Sequence, residues 1–166
     1  AAAQLKSLKQ AQGEALLAGM RLEDDKVRSL QFYYPSAWSF YSNGSWVADQ
    51  RCFVLPYLGR DSSSVWLRLT CNYTGSDWVF FEHIIFAVDG TNYDKYLSYS
   101  DVVRDNSGGR VWEYVDLEVD DDDEAMLRAI ADSTETIVRF EGDDYSQDFT
   151  VPARDKQAIR DVLDAH

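Results

Sequence analysis

The chain has 166 residues, 45% of them hydrophobic and 14% aromatic, which suits one packed core rather than several domains. Its formal net charge of −13 argues against nucleic-acid binding and against docking on an anionic membrane, since both need clustered Lys and Arg. No apolar run approaches the roughly 18 residues of a membrane span, so no insertion of this chain is expected. Most of the imbalance lies late: residues 101–166 carry seven basic and nineteen acidic side chains, against five and five in 1–50 and four and five in 51–100.

Residues 2–20 read as a helix. Leu5, Leu8, Ala11, Ala15, Leu16 and Ala18 recur roughly at helical spacing, and Gly19 stands near its end. We assign 1–28 as an N-terminal helical segment and 29–166 as a β-rich domain with accessory helices. From Leu30 onward aromatic and β-branched residues dominate, broken by turn signals. Strands are expected at 30–34, 38–41, 46–57, 64–73, 78–88, 93–98, 111–118, 135–141 and 145–149. The turns between them include "SNGS" at 42–45, "GRDSSS" at 59–64, "TGSD" at 74–77, "VDGTN" at 88–92 and "DNSGG" at 105–109. Two helices interrupt or close this part. One spans 122–133, with Ala125, Met126, Ala129 and Ile130 on one face. The other spans 152–165, with Ala158, Ile159, Val162 and Leu163 as its stripe and Pro152 in its first turn. The fold class is α+β: a mostly antiparallel, β-sandwich-like domain with an N-terminal helix and two helices in the C-terminal half.

A register follows from the loops. If 58 pairs with 65, Cys52 stands opposite Cys71, and the two form either a disulfide or a pair of buried free thiols. If 73 pairs with 78, Cys71 faces Phe80 and Leu67 faces Ile84. Leu67, Leu69 and Cys71 then share an apolar face, while Trp66, Arg68, Thr70, Phe81, His83 and Ile85 share a mixed one. Two cysteines are too few for a disulfide scaffold, and they make no zinc set with the two histidines.

Asp120–Glu124 is an unbroken acidic run. It has neither the glycine nor the alternate spacing of a calcium loop. A capping box of Asp121 with Glu124 explains it better, with Asp122 and Asp123 at the positive end of the helix dipole. The stretch 32–46, "FYYPSAWSFYSNGSW", offers Tyr33, Tyr34, Trp38, Tyr41 and Trp46 as candidate ligand or partner contacts, because exposed aromatic rings stack on ligands. The competing reading is that they fill the core. Arg68, Glu82 and His83 would suggest acid–base work, but 82 and 83 point to opposite faces of one strand, so an ion pair is the better reading. No phosphate loop, nucleophile elbow or zinc-protease motif occurs. Catalytic, metal and cofactor residues are therefore assigned to none. Asn43-Gly-Ser45 and Asn72-Tyr-Thr74 match the glycosylation sequon, a pattern common by chance.

The segments "VWLRLTCNYTGSDWVFFEHIIFAVDG", "DNSGGRVWEYVDLEV" and "IADSTETIVRFEGDDYSQDFTVPARDKQAIRDVL" resemble uncharacterised extracytoplasmic proteins, often lipoproteins, of Gram-positive bacteria. The resemblance spans about residues 50–165 and lies in patterning, without a catalytic motif. It implies an extracytoplasmic, secreted or cell-surface location, with a signal or lipid-anchor sequence removed upstream of Ala1. The expected role is a non-enzymatic binding module for a protein or glycan ligand. The alternative is an acidic inhibitor or immunity-type protein that neutralises a basic protein partner.

Overall fold

The computed structural model describes every residue from Ala1 to His166. Its helices are α1 (Ala2–Ala18), α2 (Asp121–Asp132) and α3 (Ala153–Ala165). Its strands are β1 (Arg21–Asp25), β2 (Leu30–Tyr34), β3 (Phe53–Arg60), β4 (Val65–Gly75), β5 (His83–Val88), β6 (Thr91–Tyr96), β7 (Val103–Ser107), β8 (Arg110–Glu118), β9 (Thr136–Glu141) and β10 (Ser146–Thr150). They form two antiparallel sheets, in the orders β1-β2-β3-β4-β8-β7 and β10-β9-β5-β6. The domain is thus α+β and sandwich-like.

Alternation decides what each sheet buries. The inner face of the large sheet presents Val54, Leu58, Leu69, Cys71 and Val115, all essentially inaccessible. The small sheet answers with Ile84, Phe86, Val138 and Phe140. Leu127 and Ile130 of α2 and Ile159 and Val162 of α3 complete the same core of 25 buried residues. Two hairpins close on two-residue turns with both central residues in the left-handed region: Asp89-Gly90 between β5 and β6, and Gly108-Gly109 between β7 and β8. Such turns match the twist of the strands they join.

The chain passes from the large sheet to the small one through residues 76–82. Glu113, fully buried on β8, holds this passage. It accepts from Val79 N at 2.7 Å, Phe81 N at 3.3 Å and Arg104 Nε at 3.0 Å. Arg104 in turn donates to the carbonyls of Phe81 and Tyr99. Gly142 permits the passage, since a Cβ there would stand 2.2 Å from the Val79 carbonyl oxygen.

Several expectations are corrected. The β3–β4 hairpin exists, but Leu58 pairs with Leu67 and Val54 with Cys71, so the register is shifted by two. The turn is tighter than expected: Asp61 N bonds Ser64 O, and the Asp61 carboxylate takes the amides of Ser63 and Ser64. The second hairpin is absent. The other neighbour of β4 is β8, and β5 lies in the small sheet between β9 and β6. Within 1–28, Arg21–Asp25 is a strand, paired to β2 by a turn whose amides Asp25 caps. Residues 38–41 and 46–52 form no strand; one Phe40–Trp46 bridge remains. Their aromatic rings pack as a loop instead.

The capping box of α2 sits one residue early, between Asp120 and Asp123. Lys95 of β6, 2.5 Å from Asp123, fixes that phase. The backbone N–H of Asp123 holds the Asp120 carboxyl below its ordinary range. The buried face of α2 is accordingly Met126, Leu127, Ile130 and Ala131, while Ala125 is exposed. In α3 the expected stripe is buried, with Pro152 at the cap position. Helix α1 touches the body only through its second half, where Gly13 abuts Ala165 and Leu17 reaches the core, joined by Met20 just beyond the helix.

Two stability measurements follow. Ile159→Ala should lower stability by about 2–5 kcal/mol in a denaturant titration, as expected for a fully buried site; an unchanged midpoint would make α3 a loose appendage. Glu113→Ala should cost about 3–5 kcal/mol, because it strands a buried guanidinium and two amides. A loss within a few tenths of a kcal/mol would show that the passage is held by something else.

Candidate functional site

The outer face of the large sheet carries residues in register rows. One row is Phe32, Gly59 and Trp66; the next is Tyr34, Tyr57, Arg68 and Glu118; then come Thr70 with Asp116, and Phe53, Asn72 and Tyr114. The loop 35–52 covers the lower rows. Its Trp38 packs 5.1 Å from Phe53 and 5.9 Å from Tyr57, and its Trp46 packs 4.7 Å from Tyr114. Five polar contacts pin it. Arg51 reaches the buried Asp155 at the start of α3 (2.6 Å) and the Ala37 carbonyl (3.0 Å). Asn72 Nδ2 donates to the carbonyls of Ala48 and Arg51. Trp38 Nε1 donates to the Pro56 carbonyl. A strand residue's N–H and C=O share one side, so the missing N–H of Pro56 faces the loop, not the β4 ladder.

The upper rows remain uncovered. A Cβ at Gly59 would stand 2.3 Å from Nε1 and Cε2 of Trp66, so the indole lies across the glycine. Phe32 and Trp66 are both half-buried. Two rows on, Asp116 accepts from Tyr57 Oη at 2.5 Å and from Arg68 Nε at 2.8 Å. Arg68 also donates to the Asp116 carbonyl at 3.3 Å, and its Nη1 lies 4.0 Å from Glu118. Tyr34 stacks on Tyr57, centroids 4.9 Å apart. Burial pushes both phenols well above their ordinary range, aided at Tyr34 by Glu23 and at Tyr57 by the hydrogen bond to Asp116. Both therefore stay neutral at any physiological pH. The patch is an aromatic platform beside a guanidinium–carboxylate pair, able to stack on a ring and to donate and accept hydrogen bonds at one point.

Three of the five aromatic candidates come together, Trp38 packing 5.1 Å from Tyr34 and 5.5 Å from Trp46, while Tyr33 and Tyr41 stand apart. Tyr33 lies on the inner face, where Arg60 donates to its hydroxyl at 2.6 Å. Trp38 is buried under the loop. Tyr34 and Trp46 are half-buried on the outer face, and exposed Tyr41 bonds Asp49 at the loop tip. Trp66 and Asp116 lie outside the five aromatic candidates, and the sequence offers Arg68 only as an ion-pair partner. Their signal was the mixed face of β4, where Trp66 and Arg68 alternate with buried Leu67 and Leu69.

Arg68 and His83 stand in different sheets. His83 lies between Asp94 (2.7 Å) and Glu141 (3.5 Å) under the ring of Tyr96. The proposed disulfide is also corrected: Cys52 and Cys71 are free thiols. Continuing the observed register sets Cys52 opposite Tyr73, leaving the cysteines diagonal. Diagonal partners lie about 7–8 Å apart, beyond disulfide reach. Cys52 Sγ instead contacts Thr74 N and O. Asn72 is fully buried, so of the two sequons only Asn43 reaches solvent.

No protein-family model matches the chain, and neither a curated protein nor a solved structure matches it. No helix is long and apolar enough to cross a membrane.

Burial pushes both thiols above their ordinary range, so they stay protonated near pH 8. Native alkylation at that pH should be slow, with Cys71 slower than the half-buried Cys52, and denaturation should release both. A mass difference of two hydrogens between reduced and untreated protein would overturn the free-thiol assignment.

Proposed function

We propose that this chain is a non-enzymatic binding module presented outside the bacterial cytoplasm, at the cell surface or secreted. Its contact surface is the uncovered part of the large sheet. The observation that carries this reading is the half-exposed Trp66 indole packed over Gly59, beside the Arg68–Asp116 pair. A large ring held rigidly against backbone loses little freedom on binding, which favours its use as an anchor. Location rests on the resemblance of residues 50–165 to extracytoplasmic proteins of Gram-positive bacteria.

A second reading has its own support. Asp121, Asp122, Asp143 and Asp144 are all exposed in the strongly acidic final third. That distribution favours an inhibitor of a basic protein, steered by charge.

Retention of the protein on a Gram-positive cell-envelope fraction separates the two. Trp66→Ala should reduce retention roughly tenfold or more, the loss of about 1.4 kcal/mol or above. Raising salt to about 1 M, where screening acts within about 3 Å, should change it little. Retention that survives Trp66→Ala and collapses in salt would favour the acidic reading and sink the first.

A further inference from the structure

Resting on that contact surface, we infer that its ligand is an uncharged saccharide of at least two rings. One ring stacks on Trp66, and the next hydrogen-bonds across Arg68 and Asp116.

The polar capacity of the pair matches a sugar. A guanidinium has five N–H donors, and Arg68 uses Nε and one Nη2 hydrogen on Asp116. The Asp116 side chain, 41% exposed, has about four acceptor sites and gives one to Tyr57 and one to Arg68. Spare donors and spare acceptors thus lie side by side. Two neighbouring hydroxyls, each both donor and acceptor, satisfy them together: one accepts from Arg68 while the other donates to Asp116. Charge-assisted hydrogen bonds of this kind are the strong ones.

The platform fixes the second contact. Trp66 and Arg68 are two residues apart on β4, so their side chains emerge about 6.8 Å apart on one face. That offset exceeds the width of a single hydrogen-bonding group and suits consecutive rings of a chain. The apolar C–H face of a pyranose is the natural complement of a flat indole.

Charge removes the anionic sugars. On this face Glu23, Asp116 and Glu118, the last 94% exposed, outnumber Arg21 and Arg68, and the molecule carries −13. A uronate or phosphate would meet net repulsion. Strand addition by a peptide has little free backbone to use, because β4 is paired on both sides from Arg68 onward and only Val65–Leu67 lack a β8 partner.

The test is titration of the whole chain with cellotetraose, chitotetraose and mannotetraose, and with tetragalacturonate as the anionic probe, followed by tryptophan fluorescence and calorimetry. At least one neutral tetrasaccharide should bind saturably, more tightly than its monosaccharide, while tetragalacturonate does not. Trp66→Ala and Asp116→Asn should each weaken that binding roughly tenfold or more. Thermal melts should confirm that both variants remain folded. Binding of tetragalacturonate alone, or of none of the four, overturns the inference. If no sugar binds yet Trp66→Ala still releases the protein from the envelope fraction, the saccharide fails and the contact surface stands. If Trp66→Ala alters neither measurement, both fall.

Discussion

The Glu113 carboxylate has no solvent access, yet it serves three donors at once. Residues 76–82 must leave one sheet and enter the other, and the amides of Val79 and Phe81 belong to no ladder. Unpaired buried amides are costly, so a side-chain acceptor has to stand in for a strand. A lone buried carboxylate would itself be costly, and the Arg104 guanidinium offsets that. Arg104 then spreads the constraint to the carbonyls of Tyr99, Val102 and Phe81. With Val79 and Phe81 placed in the core, β5 starts in the register that aligns His83 with Glu141. The layering of the two sheets depends on this one ionic knot.

The same logic explains what could be read from residues alone. The alternation in β4 assigned its inner and outer sides, and Leu67, Leu69 and Cys71 do face the core. The expected β3–β4 pairing is out by two residues, and alternation cannot detect that. A slip of two residues leaves every side chain on its own side of the sheet. Partner choice was equally silent, since an apolar face on β4 is satisfied by β8 as well as by β5. The aromatic run before β3 has strong strand preference, but its rings are worth more packed on the outer face than paired in a ladder. The helix cap moved by one residue because Lys95, some thirty positions upstream, selects Asp123. Such choices are tertiary and leave no local trace.

The outer face shows how a surface is divided by its own loop. Arg51, Asn72 and Pro56 anchor residues 35–52, so most of the conspicuous aromatic run becomes a second small core. What stays open is set by where the loop stops, at the row of Tyr34 and Tyr57. The residues left open therefore come from β4 and β8, not from the stretch richest in rings. Half of this was legible: the mixed face of β4 named Trp66 and Arg68 together. Asp116 was hidden because nothing in the sequence says that β8 lies beside β4.

Helix α1 holds a last consequence. Residues 1–12 are exposed on all sides, and only the turns from Gly13 onward meet α3 and the core. An isolated helix of a dozen residues is marginal in water. Its first turns open and close without disturbing either sheet, so their amides exchange with solvent at a rate set by local fraying, whereas those of β4 wait for global unfolding. The molecule thus has two thermodynamic clocks on one chain. The fast one lets the first turns of α1 melt and re-form while both sheets keep their shape.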